Sequence, residues 1–104
     1  MPLTYSVQED SLLLTVSGGL TIFQAAERKP ELLHALSLPQ TEVVLDLGGV
    51  DELDTAGIQL LLLLRRELVN LGRRLEIAAC SPAVLAVLDL LQLHDRFSPA
   101  VEAA

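Results

Sequence analysis

An α/β fold is predicted for this chain by three observations. Short leucine- and valine-rich runs alternate with helix-length segments, the helix starts carry specific capping signals, and the second half reads strand, helix, strand, helix. That order implies parallel strand pairing through a right-handed crossover. With 104 residues, 51% hydrophobic content and a mean hydropathy of +0.47, one domain over 1–104 with a single core is expected. The residues after about 98 read as a loose tail.

Each element has a local reason. Thr4-Tyr5-Ser6-Val7-Gln8 and Leu12-Leu13-Leu14-Thr15-Val16 alternate, and Glu9-Asp10-Ser11 between them reads as a hairpin turn. Gly18-Gly19 is expected to end the second strand. Thr21 followed by Gln24 has the form of a capping box, so a helix should run through Ala25-Ala26-Glu27-Arg28. Pro30 lacks an amide donor and should kink or restart it before Leu32, Leu33 and Leu36 pack. After the loop Ser37-Leu38-Pro39-Gln40, Val43 to Leu47 reads as a buried strand and Gly48-Gly49 as a turn. Asp54 then takes the N-cap and Thr55 the first position of a leucine-rich helix. Leu71-Gly72 should stop that helix, with Arg65, Arg66, Arg73 and Arg74 complementing its negative end. Leu75 to Ala79 reads as a strand. Ser81-Pro82, a cap followed by proline at the first helical position, opens a helix through about Leu93, and His94-Asp95-Arg96-Phe97 reads as a short edge strand.

A net charge of −7 argues against nucleic acid, which needs clustered Lys and Arg. Residues 1–64 hold nine acids and two bases, whereas 65–104 hold five of each. Partner-facing charge at the N-terminal side of the long helix and plain solubility are both open as reasons. No apolar run approaches the roughly 18 residues of a membrane span and no leader pattern opens the chain, so no direct membrane insertion and a cytoplasmic location are expected. Cys80, the only cysteine, forbids an internal disulfide and reads as a buried, inert thiol.

Several chemistries are disfavoured. His34 and His94 do not stand at metal-ligand spacing, so neither a metal nor a cofactor is expected. No phosphate-cradling glycine motif occurs, and Gly48-Gly49 before an acidic run would repel nucleotides. Asp46, Asp51 and Asp54 invite comparison with a phosphoaspartate receiver, but such a pocket needs a lysine. The sole lysine, Lys29, falls in a helix before the acidic strand end. Asp46 and Asp54 also lack a substrate-positioning companion, so the chain should not be an enzyme. Plain capping by Asp54 and a polar strand end at Asp46 are the competing accounts of those residues.

At about 100° per residue, Thr55, Gln59, Leu63, Arg66 and Asn70 share an arc of roughly 80° on the long helix. Ile58, Leu60, Leu61, Leu64, Leu68 and Leu71 spread over the other side. Leu63 lies inside the polar arc and Leu62 borders it, so a large apolar side chain stands beside the hydroxyl. Gln59, Leu62, Leu63 and Arg66 are therefore candidate partner contacts, unless the first helix or a loop covers them.

Taken together, Val44-Leu45-Asp46-Leu47, Gly49-Val50 and Asp54-Thr55-Ala56-Gly57 opening a leucine-rich helix resemble the sulphate transporter and anti-sigma factor antagonist (STAS) domain family. Gly18-Gly19-Leu20-Thr21 and Ser81-Pro82-Ala83-Val84 extend the resemblance over nearly the whole chain. It implies a mixed sheet of about four to five strands with helices packed against it. For stand-alone members it implies partner switching. The unphosphorylated protein binds an anti-sigma factor that is also a serine/threonine kinase, phosphorylation releases it, and a phosphatase resets the switch. By motif position Thr55 is the phosphoacceptor, with Asp46, Asp54, Gly57 and Thr21 around it. Gly19-Leu20-Thr21-Ile22 and the run from Asp54 to Leu63 are also similar to members associated with chemotaxis systems. Another branch, with D-T-G-G or D-T-A-G, is an accessory subunit that binds the ATPase of a phospholipid ABC transporter. Threonine replaces the commoner serine at 55, and Thr21 stands where classical antagonists often carry an aspartate.

Physics favours a switch independently. A phosphate would bring about −1.5 to −2 charges toward Asp46, Asp51, Glu52 and Asp54. Only the helix dipole, worth roughly 0.3–1 kcal/mol at an exposed site, opposes that repulsion.

Overall fold

The computed structural model describes residues 3–90. In chain order they form β1 (Leu3–Gln8), β2 (Ser11–Leu20), α1 (Ile22–Leu33), a 3-10 turn (His34–Ser37), β3 (Glu42–Leu53), α2 (Thr55–Asn70), β4 (Arg74–Cys80) and α3 (Pro82–Leu90). The edge strand expected at His94–Phe97, the helix end near Leu93 and the tail after 98 lie outside these residues. The strands pair in chain order as one mixed sheet. β1 runs antiparallel to β2, while β2, β3 and β4 are mutually parallel. This is the expected α/β architecture, with four strands among the described residues.

Parallel pairing stacks apolar side chains in rows across the sheet. Leu12, Val43 and Leu75 form one row and Leu14, Leu45 and Ile77 the next, all buried. Ile58, Leu60, Leu61, Leu64 and Leu68 of α2, Leu32 of α1, and Val84 and Leu88 of α3 complete the core. Each fully buried Leu, Ile or Val contributes on the order of 1.5–3 kcal/mol, so leucine-rich α2 is held mainly by its buried face.

The caps are where the residue types predict. Thr21 and Gln24 close a reciprocal capping box on α1. The Ser81 hydroxyl accepts from the Val84 amide at 3.2 Å at the start of α3. At the end of α2, Gly72 adopts φ 73. Its amide donates to the Val69 carbonyl at 2.9 Å and that of Arg73 to Leu68 at 2.9 Å, a Schellman closure.

Six expectations need correction. β2 does not end at Gly18-Gly19 but pairs on to Leu20, and β3 does not turn at Gly48-Gly49 but continues to Leu53. Gly49 pairs with Ser17, Gly18 with Val50 and Gly19 with Glu52, the β2–β3 register shifts twice along this stretch and Gly18 takes φ 79; the glycines sit at bulges instead of turns. Pro30 lies inside α1, which does not restart there but runs on to Leu33 before tightening into the 3-10 turn. Leu71 is 58% exposed, because as the C-cap it has left helical geometry and its side chain no longer follows the apolar stripe. Three of the four arginines have side-chain partners elsewhere than the end carbonyls of α2. Arg73 donates to the carbonyls of Gln40 at 2.6 Å and Ala35 at 3.0 Å, Arg74 pairs with Glu42 across the strands at 2.6 Å, and Arg66 lies 3.5 Å from Glu67. Cys80 is only half-buried, and that burial pushes its thiol pKa up, which keeps it protonated at neutral pH.

Candidate functional site

Because β2 and β3 are parallel, their C-terminal ends lie at the same edge, with Leu20 paired to Leu53. α1 and α2 start immediately beyond, so their N-termini stand side by side. Asp54 joins them. One carboxylate oxygen accepts from the Gly57 amide at 3.2 Å, capping its own helix, and the other accepts from the Ile22 amide at 2.9 Å, the first residue of α1. Two positive helix ends thus converge on one carboxylate.

This geometry holds the Asp54 carboxyl below the usual carboxylate range. The Ile22 amide is the foremost cause; desolvation opposes it, and the amides of Gly57, Ala56 and Asp54 itself assist. A pKa lowered by folding stabilises the protein above the unfolded value of about 3.9, and the gain disappears as pH falls through the folded value. The melting temperature of Asp54→Asn should therefore fall less steeply than wild type as pH drops below about 4. Equal slopes would show that the two-helix clamp contributes nothing.

Gly57 explains the spacing of the motif. It is buried, and a β-carbon there would sit well inside contact distance of the Leu20 carbonyl oxygen and 2.7 Å from Leu53 Cδ1. The first turn of α2 presses directly on the end of β2, and only glycine lets it approach. Thr55, two residues earlier, is exposed on the outer side of that turn. Thr21, the N-cap of neighbouring α1, has its hydroxyl engaged, accepting from the Phe23 amide at 3.3 Å and donating to Gln24 Oε1 at 2.6 Å.

Asp46 is not brought to this group. It precedes Asp54 by eight residues in an uninterrupted strand, so at about 3.3 Å per residue most of β3 separates them. Its carboxylate accepts from the Gly48 amide at 2.9 Å, at the bulge where the β3–β4 register shifts. The negative charge beside Thr55 comes from Asp54 and from Asp51 and Glu52, both exposed at the end of β3.

Gln59, Leu62, Leu63 and Arg66 line one depression of about 400 Å³ on α2, together with Arg65, Val69 and Asn70. Gln59 and Leu63 also border a groove of about 310 Å³ between α1 and α2, whose other wall includes Ala25, Ala26 and Lys29. Leu63 is half-buried on the ridge between the two. Among the described residues, no three His, Cys, Asp or Glu side chains group so as to hold a metal ion, and no helix is long and apolar enough to cross a membrane.

Two residues of the site escaped the sequence reading. Ile22 is 67% and Phe23 89% exposed, at the start of α1 next to the Asp54 clamp. A signal existed for Phe23. It stands nine residues before buried Leu32, half a turn around the helix at about 100° per residue.

A family model described as "Mlab, STAS domain" matches residues 3–101. Among solved structures, an anti-sigma factor antagonist from Mycobacterium paratuberculosis superposes with a TM-score of 0.82 at 19% identity, over 91% of this chain and 80% of that one. A Thermotoga maritima protein described as an anti-sigma factor antagonist gives 0.82 at 18% identity, over 92% and 83%. The Bacillus cell fate determinant SpoIIAA in its phosphorylated form gives 0.69 at 17% identity, over 92% and 88%. At such identities the structural likeness shows the fold.

Proposed function

The chain belongs to the STAS domain family, and from that premise we propose that it is a non-enzymatic regulatory binding protein of the anti-sigma factor antagonist kind, switched by phosphorylation of Thr55. In its unphosphorylated form it holds an anti-sigma factor kinase; the phosphate releases that partner, and a phosphatase restores binding. The observation that carries the reading is the placement of Thr55, exposed on the first turn of α2 directly after a carboxylate that already fills the N-termini of two helices. Those amides neutralise Asp54, not a newcomer. A phosphate at Thr55 would add charge beside Asp51, Glu52 and Asp54, tolerable toward water and costly when desolvated against a partner.

Gln59, Leu62, Leu63 and Arg66 extend the docking face along α2. Thr55→Glu is expected to weaken kinase binding by tenfold or more with little change in melting temperature, whereas Thr55→Ala keeps binding. Calorimetric titration of both variants checks this, and a Thr55→Glu protein that binds as wild type does would contradict electrostatic release. The second reading, an accessory subunit on the ATPase of a phospholipid ABC transporter, is favoured by the spelling Asp54-Thr55-Ala56-Gly57, which the sequence shares with that branch. Co-purification of an ABC ATPase instead of a kinase from the native cell would select it.

A further inference from the structure

Ile22 and Phe23 are the most exposed pair of adjacent large apolar side chains among the described residues, 67% and 89% open to solvent. Such a pair at a helix start gains nothing for the fold. Its position is defined, because the Ile22 amide is held at 2.9 Å by Asp54, the residue before Thr55. Acids stand at the end of neighbouring β3, while Lys29 lies further along α1 in the groove facing α2. Glu52 pairs with Gly19, two residues before Thr21, on the neighbouring strand, and both Asp51 and Glu52 are exposed.

We propose that Ile22 and Phe23 form the anchor of the partner-docking surface, and that the partner is a protein presenting an apolar pocket for Phe23 rimmed by lysine or arginine side chains. An exposed aromatic ring carries large contact area at little entropic cost, and anchors of this type dominate interface energies. The acids at the end of β3 select a basic rim and speed encounter through long-range attraction. The same tie that positions Phe23 places it next to Thr55, so a phosphate there confronts the cationic rim at the edge of the anchor and meets Asp54 at its base. This assignment rests on the reading of the chain as a partner-switching protein.

The test titrates the purified anti-sigma factor kinases of the native cell with the unphosphorylated full chain by calorimetry. Phe23→Ala is expected to weaken binding at least tenfold with an unchanged melting temperature. Asp51→Asn with Glu52→Gln should also weaken binding and flatten its salt dependence. Val7→Ala, on a residue 58% exposed near the opposite end of the sheet, should leave it unchanged. Phe23→Ala binding as tightly as wild type would overturn the anchor while leaving the switch at Thr55 standing. Sedimentation showing a wild-type dimer that Phe23→Ala dissolves would assign the surface to a second copy and overturn the basic-rimmed partner. Wild type that binds none of the kinases would overturn the partner-switching reading itself, before any variant is compared.

Discussion

Gly57→Ala should destabilise the protein by about 3 kcal/mol, the upper end of what an unaccommodated methyl costs in a packed site. The added carbon would collide with the Leu20 carbonyl oxygen and lie 2.7 Å from Leu53 Cδ1. A flexible side chain could swing aside, but the end of a central strand cannot, since Leu20 is fully buried and paired to Leu53. The first turn of α2 must therefore lift, and with it the Gly57 amide that binds Asp54. Urea unfolding measures the loss, and amide exchange at Ile22 reports whether the clamp opens. A change below about 0.5 kcal/mol, the range of neutral surface substitutions, would mean that α2 does not press on β2 as described.

The next largest effect separates neighbours on α2. Leu64 is fully buried, and Leu64→Ala should cost about 2–5 kcal/mol through the cavity it leaves. Leu63 is half-buried on the ridge facing the two depressions, and Leu63→Asp should cost less than about 1 kcal/mol while impairing partner binding. Denaturant midpoints of the two variants decide the matter. If Leu63→Asp unfolds the protein as readily as Leu64→Ala, Leu63 belongs to the core and the docking face lies elsewhere.

What was legible in the sequence follows the range of the forces involved. Caps are local, and Thr21, Asp54 and Ser81 each stand one residue before the helix they were expected to open. The stripe of buried residues on α2 is a periodicity, and it was readable except at Leu71, where the helix ends. The glycine pairs misled because a turn and a bulge both use glycine, for a positive φ at Gly18 and for close approach at Gly19 and Gly49. Only the facing strand, which puts Ser17 Cβ 2.9 Å from where a β-carbon on Gly49 would be, tells them apart. Asp46 entered the site by motif position alone, and the length of β3 beyond it, which no motif spells out, is what separates it from Thr55. The restart allowed for at Pro30 does not occur, the single missing hydrogen bond being outweighed by the burial of Leu32 beyond it. Arg28, charged yet 7% exposed and paired with Glu31, was invisible for the opposite reason, because its burial depends on tertiary packing. The dual role of Asp54 is likewise tertiary. Its partner at Ile22 lies 32 residues away in the chain.

The central claim is that one hydroxyl, Thr55, controls partner binding at this helix start. The most direct measurement incubates the chain with its purified anti-sigma factor kinase and ATP, maps the modified residue by mass spectrometry, and titrates both forms against the same kinase. The account predicts a single phosphate on Thr55, with Thr21 and Ser81 unmodified because their hydroxyls are engaged as helix caps, and binding weakened by tenfold or more. Phosphate mainly on another residue, or a Thr55-phosphorylated chain that binds as tightly as the unmodified one, would contradict it.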